Sequence, residues 1–223
     1  MREIPGIPYR FENPELLARA LSHRSLGRKN NERLEFLGDS ILNFVVSARL
    51  FHLKDGNNEG ALSRLRARVV RGDTLARLAA DLNLGDHIKL GEGELKSGGF
   101  KRKSILADTL EALFGAIYLD GGFESCERVI QHVCDPFIAN LPDANELKDP
   151  KTRLQEWLQA RAYSLPEYTL LSETGPPHKK QFLIQCTADE AGINVTGYGA
   201  SRQKAEQGAA AAALEFIAGI REK

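Results

Sequence analysis

Apolar positions recur at helical spacing from the N-terminus to about Phe137, interrupted by Gly- and Asn-rich clusters such as KDGNNEG. The pattern predicts a helix near Pro14 to Ser22, a second from Asn31 to about His52, and a third carrying LSRLRARVV. In the third, Leu62, Leu65 and Val69 share the inward face, and Arg64, Arg68 and Arg71 lie on the other side. TLARLAADL is a fourth helix. Beyond the glycine-rich LGEGELKSGGFKRK come an apolar helix over Ser104 to Leu119 and a last one over ESCERVIQHVCDPFIANL. The pattern changes at the polar stretch LPDANELKDP. Asp149 followed by Pro150 reads as a helix cap and an N1 proline, opening a helix through TRLQEWLQARA. Three β-leaning runs follow, EYTLLSE, QFLIQCTA and INVTGYG, and a final helix starts at Ser201 and runs through AEQGAAAAALEFIA. The expected fold class is α+β overall: an all-α domain over residues 1–140, a linker over 141–148, and an α-β-β-β-α module over 149–223.

Composition narrows the class without choosing a partner. With 42% hydrophobic residues in a chain of 223, real cores are affordable and disorder is not expected. Thirty basic and thirty acidic residues cancel, nine against nine from Asp149 onward, so any basic footprint has to be local. Cys126, Cys134 and Cys186 are odd in number and lack metal-ligand spacing, which favours a reducing compartment. MREIPGIPYRFENP has no apolar signal core, and no run approaches the ~18 to 20 apolar residues of a membrane span. A soluble, cytoplasmic protein with no membrane association is expected.

Chemistry concentrates in two pairs of carboxylates set into apolar helical runs, Glu35 with Asp39 and Asp108 with Glu111. Their i,i+4 and i,i+3 spacings stack each pair on one helical face. A buried carboxylate left unpaired costs several kcal/mol or more, so it takes up a proton, meets a cation or binds a metal. Neither run carries Lys or Arg on its acidic face, and oxygen-only ligands suit Mg²⁺, with Mn²⁺ as a substitute. Gly38 and Gly115, each costly inside a helix, point to a close helix approach that would bring all four acids to one site, the arrangement of a metal-dependent nuclease. Glu32 fits either an accessory acid or a first-turn Glu favoured by the helix dipole, and Glu59 either an accessory acid or a solvated loop acid. Ser22 and His23 lack a partner acid and read as a structural hydrogen bond. GEGELKSGGFKRKS fails as a phosphate loop because Arg102, not glycine, precedes Lys103, so no nucleotide cofactor is expected. A di-iron carboxylate site is disfavoured, since neither acidic helix has a His three residues after its Glu.

In the C-terminal module, polar signals fall in three places: Gln155 and Glu156 on its first helix, His178, Lys179 and Lys180 between strands, and Arg202 and Lys204 in the first turn of the last helix. Cations at a helix N-terminus oppose the macrodipole and suggest an anionic partner there. Duplex RNA read by shape uses such a division, with side chains crossing minor grooves and cations on the intervening phosphates.

NERLEFLGDS, EGALSRLRA and ILADTLEALFGAIYLDGG resemble the ribonuclease III family, and DPKTRLQEWLQ, GPPHKKQF and SRQKAEQGAAAAAL resemble its double-stranded-RNA-binding domain. The resemblance covers nearly the whole chain and is to bacterial members with a single catalytic domain. It implies that Glu35, Asp39, Asp108 and Glu111 ligand or organise Mg²⁺, with Asp39 and Glu111 catalytic and Glu32 and Glu59 accessory. It further implies a homodimer whose subunits each cut one strand of double-stranded RNA, leaving a 5′ phosphate, a 3′ hydroxyl and a short 3′ overhang. Phe36 matches the position that packs into the partner subunit, although core packing would equally explain it from the pattern alone. Gln203 stands where the family often has a third basic residue.

Overall fold

The structure is a computed structural model that describes residues 2–144, 147–176 and 179–221. It divides into two compact units, Met1–Ala144 and Asn145–Lys223. The division falls inside the expected linker. Ala144 is buried and its carbonyl accepts from Arg64 Nε at 3.3 Å, so residues up to 144 pack with the helical unit.

That unit contains α1 (Pro14–Ala20), α2 (Glu32–Leu53), α3 (Glu59–Val70), α4 (Gly72–Asp81), α5 (Glu92–Lys96) and α6 (Lys103–Ile138). Helices α2 and α6 form the central pair, with α1 and α4 against α6 and α3 against α2. Leu34, Leu42, Val45 and Leu50 of α2 and Leu110, Leu113, Phe114 and Ile117 of α6 are buried and fill the core. The two helices expected on either side of Asp120 are the two arms of α6, broken at Gly122, whose backbone is not helical and whose positive φ of 77° glycine adopts without penalty. Beside the bend, the Asp120 carboxylate accepts from Tyr9 Oη (2.8 Å) and from the backbone N–H groups of Glu12 (2.8 Å) and Asn13 (2.9 Å). This ties the N-terminal segment to α6. Helix α5 lies in the run that the pattern left as a glycine-rich connection.

By length and composition, α2 could cross a membrane, its mean hydropathy reaching 1.2. The sequence shows no uninterrupted apolar run there because Glu32, Arg33, Glu35, Asp39 and Arg49 are interspersed. One face of this helix is packed on α6.

Gly38 and Gly115 set the spacing of the central pair. A Cβ on Gly38 would fall 1.8 Å from the Glu111 carbonyl oxygen, and one on Gly115 would fall 2.2 Å from the Leu34 carbonyl oxygen. Backbone meets backbone here, and no side chain fits between.

The second unit runs α7 (Pro150–Gln159), β1 (Glu167–Thr174), β2 (Gln181–Ala188), β3 (Ile193–Gly199) and α8 (Arg202–Arg221). Asp149 caps α7, accepting from Thr152 N (3.1 Å) and Thr152 Oγ1 (2.7 Å). The strands form an antiparallel sheet in the order β1-β2-β3, with Leu170 opposite Ile184 and Cys186 opposite Val195. Ala205, Ala209 and Ala213 of α8 are buried. A Cβ on Gly197 would meet Ala209 N at 1.9 Å, and one on Gly199 would meet Ala205 N at 2.3 Å. The alanine run is therefore a packing face: small residues on helix and strand let the backbones close.

Gly115→Ala is expected to lower stability by about 3 kcal/mol, because neither backbone can retreat without opening the core. Gly93→Ala, with nothing within 4 Å of the added carbon, is expected to be neutral. Thermal melting of the two variants checks both.

Candidate metal centre and nucleic-acid face

The glycine contact places acids of both helices side by side. Glu35 of α2 and Asp108 and Glu111 of α6 each offer a carboxylate oxygen within 4.8 Å of the other two. All three are half-buried. Burial, followed by the charges of Asp39, Asp108 and Glu35, pushes the Glu111 carboxyl up to about 8. Glu35 is raised by burial, then by Asp108 and Glu32. Asp108 is raised by burial, against a lowering influence of Arg24 and His23. The donors are all oxygen, the charges repel, and among the described residues the lowering influence on Asp108 comes from Arg24 and His23. That combination fits a hard divalent cation.

Asp39, expected to join the same point, is not one of the three. It is exposed, and its Oδ1 accepts from Asn43 Nδ2 at 2.8 Å, one turn further along α2. Its charge still acts on Glu111 and Glu35, which places it at the rim. Glu32 lines the cavity of about 490 Å³ that opens beside Glu35 and Asp108. It accepts from Asn30 Nδ2 at 2.9 Å and lies 3.9 Å from Arg24. Glu59 is elsewhere: in the first turn of α3 it accepts from Ser63 Oγ at 2.8 Å and lines a separate cavity with Leu50, Phe51 and Leu62.

Arg24 and Glu94, charged residues of the acidic cavity, escaped the sequence pattern. Arg24 comes from a short 3₁₀ turn, and Glu94 of α5 pairs with Arg102 at 2.5 Å. No local signal marks Glu94; its side chain packs on Gly99, where a Cβ would meet Glu94 Cγ at 2.7 Å, only in the folded chain. Arg71 and Lys103 are paired, sharing Asp73 at 3.0 and 2.9 Å. Ser22 and His23 serve structural hydrogen bonds, Ser22 Oγ donating to the Ala18 carbonyl and Ser25 N to His23 Nδ1. Phe36 is 78% exposed, with Phe44 at 60% and Phe51 at 66% on the same helix, so it is not core within this chain.

In the second unit, Gln155 and Glu156 are exposed on α7, and Lys148 Nζ donates to both Glu156 oxygens at 2.8 and 2.6 Å. Lys179, Lys180 and Arg202 line one cavity together with Phe182 and Tyr198. Lys180 is paired with Glu173, whose other oxygen lies 4.0 Å from Arg202. Lys204 is exposed in the first turn of α8, next to exposed Gln203. His178 lies outside the described residues.

Residues 13–136 match the family described as Ribonuclease-III-like, and residues 150–217 match the double-stranded RNA binding motif. The chain is 54% identical over 207 residues to Ribonuclease 3 of Dechloromonas aromatica, covering 93% of each chain. To Ribonuclease 3 of Nitrosococcus oceani it is 51% identical over 211 residues, 94% of this chain and 91% of that one. A solved nuclease domain of ribonuclease III from Campylobacter jejuni, whose description refers to a region involved in dimer formation, superposes with a TM-score of 0.57 at 44% identity. That match covers 58% of this chain and 92% of the other.

The raised Glu111 carboxyl makes stability pH-dependent. Unfolded, it ionises near its ordinary value of 4.5, and folded near 8, so the folded state holds the extra proton between these values. Stability in EDTA is therefore expected to fall as pH rises from about 4.5 to about 8, and to level off above. Glu111→Gln should flatten this slope and melt higher than the parent at the alkaline end. Melting curves across that range test it.

Proposed function

The chain belongs to the ribonuclease III family and is an endoribonuclease with a double-stranded-RNA-binding domain, and from this premise we propose a homodimeric, Mg²⁺-dependent enzyme that cuts both strands of RNA duplexes. Its products carry 5′ phosphates, 3′ hydroxyls and short 3′ overhangs, and its role is the processing of RNA precursors such as rRNA and mRNA. The observation that carries this reading is the set of three carboxylates within 4.8 Å on two helices locked backbone to backbone.

Glu35, Asp108 and Glu111 would hold the cation, and Mn²⁺ would be able to replace Mg²⁺. When bound, the cation supplies Lewis acidity to the phosphoryl oxygens and lowers the pKa of a water. Glu111, whose carboxyl is pushed furthest up, would have to be ionised to hold a cation, its proton passing to solvent. Asp39, exposed at the rim, is placed to accept a hydrogen bond from the attacking water while Asn43 fixes its other oxygen. Glu32 adds negative charge beside Glu35, and Arg24 offsets part of it.

The C-terminal domain holds the substrate, with Gln155 and Glu156 toward the minor groove and Lys179, Lys180, Arg202 and Lys204 toward phosphates. His178 is assigned to the same face by its position in GPPHKKQF. Phe36, exposed with Phe44 and Phe51 along α2, supports pairing through this helix, and the dimer-forming region described for the Campylobacter nuclease domain points the same way. Glu59, remote from the acids of its own subunit, acts as an accessory acid in the dimer.

Glu111→Gln should reduce Mg²⁺-dependent cleavage of a long perfect RNA duplex by at least about a thousandfold, an effect of the size seen when a transition-state stabiliser is lost, while duplex affinity stays within about twofold. Cleavage with Mg²⁺, with Ca²⁺ and with EDTA, followed by end-group analysis, decides it; retained turnover in the variant sinks the metal-site assignment. Phe36→Asp should convert the dimer to monomer in sedimentation at micromolar concentration, and an unchanged dimer would remove Phe36 from the interface.

A further inference from the structure

Lys180 and Arg202, two of the cations assigned to the RNA backbone, come from different elements, the start of β2's approach and the first turn of α8. Both face one acid. The Glu173 carboxylate, near the end of β1 and in register with Phe182, bonds Lys180 Nζ through Oε1 and lies 4.0 Å from Arg202 through Oε2. Hydrogen bonding to Lys180 is the largest influence on Glu173 and draws its carboxyl below the usual range. Among the described residues, Glu173 is the acid paired with the cations of this face. A carboxylate there is not needed to hold the fold: it is partly exposed, at 33%, and its strand is fixed by the ladder to β2.

A phosphate arriving between Lys180 and Arg202 meets two cations already shared with an anion, so the pair presents about one net positive charge instead of two. Phosphate contacts that are sequence-independent release counterions and bind any nucleic acid strand, whereas shape is read by the groove contacts. An internal anion at the phosphate site lowers the first contribution and leaves the second. Resting on the assignment of this face to duplex RNA, we propose that Glu173 is a built-in counter-ion that sets the salt dependence of RNA binding and its selectivity for duplex over single strands. It acts through Lys180 and Arg202, not by touching RNA.

The test uses the full-length protein in EDTA, which prevents cleavage, with a long perfect RNA duplex and a single strand of the same length as probes. Glu173→Gln is close in shape to the parent, and Glu173→Thr, suited to a strand, is the second variant; melting curves verify that both are folded. Both are expected to bind duplex about fivefold more tightly at low salt, the scale of one unit charge near 4 Å in water. The slope of log affinity against log salt should steepen by about one. Single-strand affinity should rise by a larger factor than duplex affinity. In the Lys180→Ala, Arg202→Ala background, Glu173→Gln should tighten binding by less than in the parent, because no phosphate is then drawn close to position 173. If that double variant itself binds as tightly as the parent, the phosphate face is misassigned and the role of Glu173 falls with it. If the double variant weakens binding but the Glu173 variants bind duplex equally or more weakly, the face stands and the counter-ion role is overturned.

Discussion

Two helix backbones touch at Gly38 and Gly115, and the acidic site exists because they do. Without Cβ atoms at these positions, the Glu111 and Leu34 carbonyls sit where side chains would otherwise be. Ordinary packing keeps helix axes 8–10 Å apart through interdigitated side chains. Here the side chains are displaced to either side of the contact. Leu34, Leu42 and Val45 join Leu110, Leu113 and Phe114 in the core, and Glu35 joins Asp108 and Glu111 at the open edge. Core and site are therefore two consequences of one contact.

The arrangement works against itself electrostatically. Each carboxylate is partly removed from water and near others, which is why all three are drawn toward their protonated forms. The apolar packing beneath them offsets that cost, and Arg24 and His23 relieve a part of it. A divalent cation would relieve the rest, stabilising the folded protein by mass action as it binds. The site is thus strained in proportion to its affinity for positive charge.

The C-terminal unit solves the same packing problem differently. Gly197 and Gly199 on β3 meet an alanine face on α8, so the helix lies on the sheet almost at backbone distance. Its polar surface is not simply basic. Lys148 with Glu156, Lys151 with Glu206, and Lys180 with Glu173 pair positive and negative groups across neighbouring elements. Such exposed pairs contribute little to stability, typically 1 kcal/mol or less. Their consequence is that the charges available to a polyanion are fewer than the count of Lys and Arg suggests.

Local pattern alone determined much of this molecule. Helical spacing marked α2, α3, α4 and the arms of α6, the Asp149-Pro150 pair marked the start of α7, and alternating β-leaning runs marked the three strands, because each depends on neighbours within a few residues. Glu35, Asp108 and Glu111 were legible as acids on apolar faces, and the two helical glycines as a reason for close approach. Tertiary structure decided what local pattern could not. It set Asp39 at the rim, since its hydrogen bond to Asn43 depends on which way α2 is turned against α6. It also put Glu59 in a separate cavity, exposed Phe36, and brought Arg24 and Glu94 to the acids from distant segments. Periodicity fixes which face of an element a residue occupies, but which charge stands opposite that face is settled only when another part of the chain packs there.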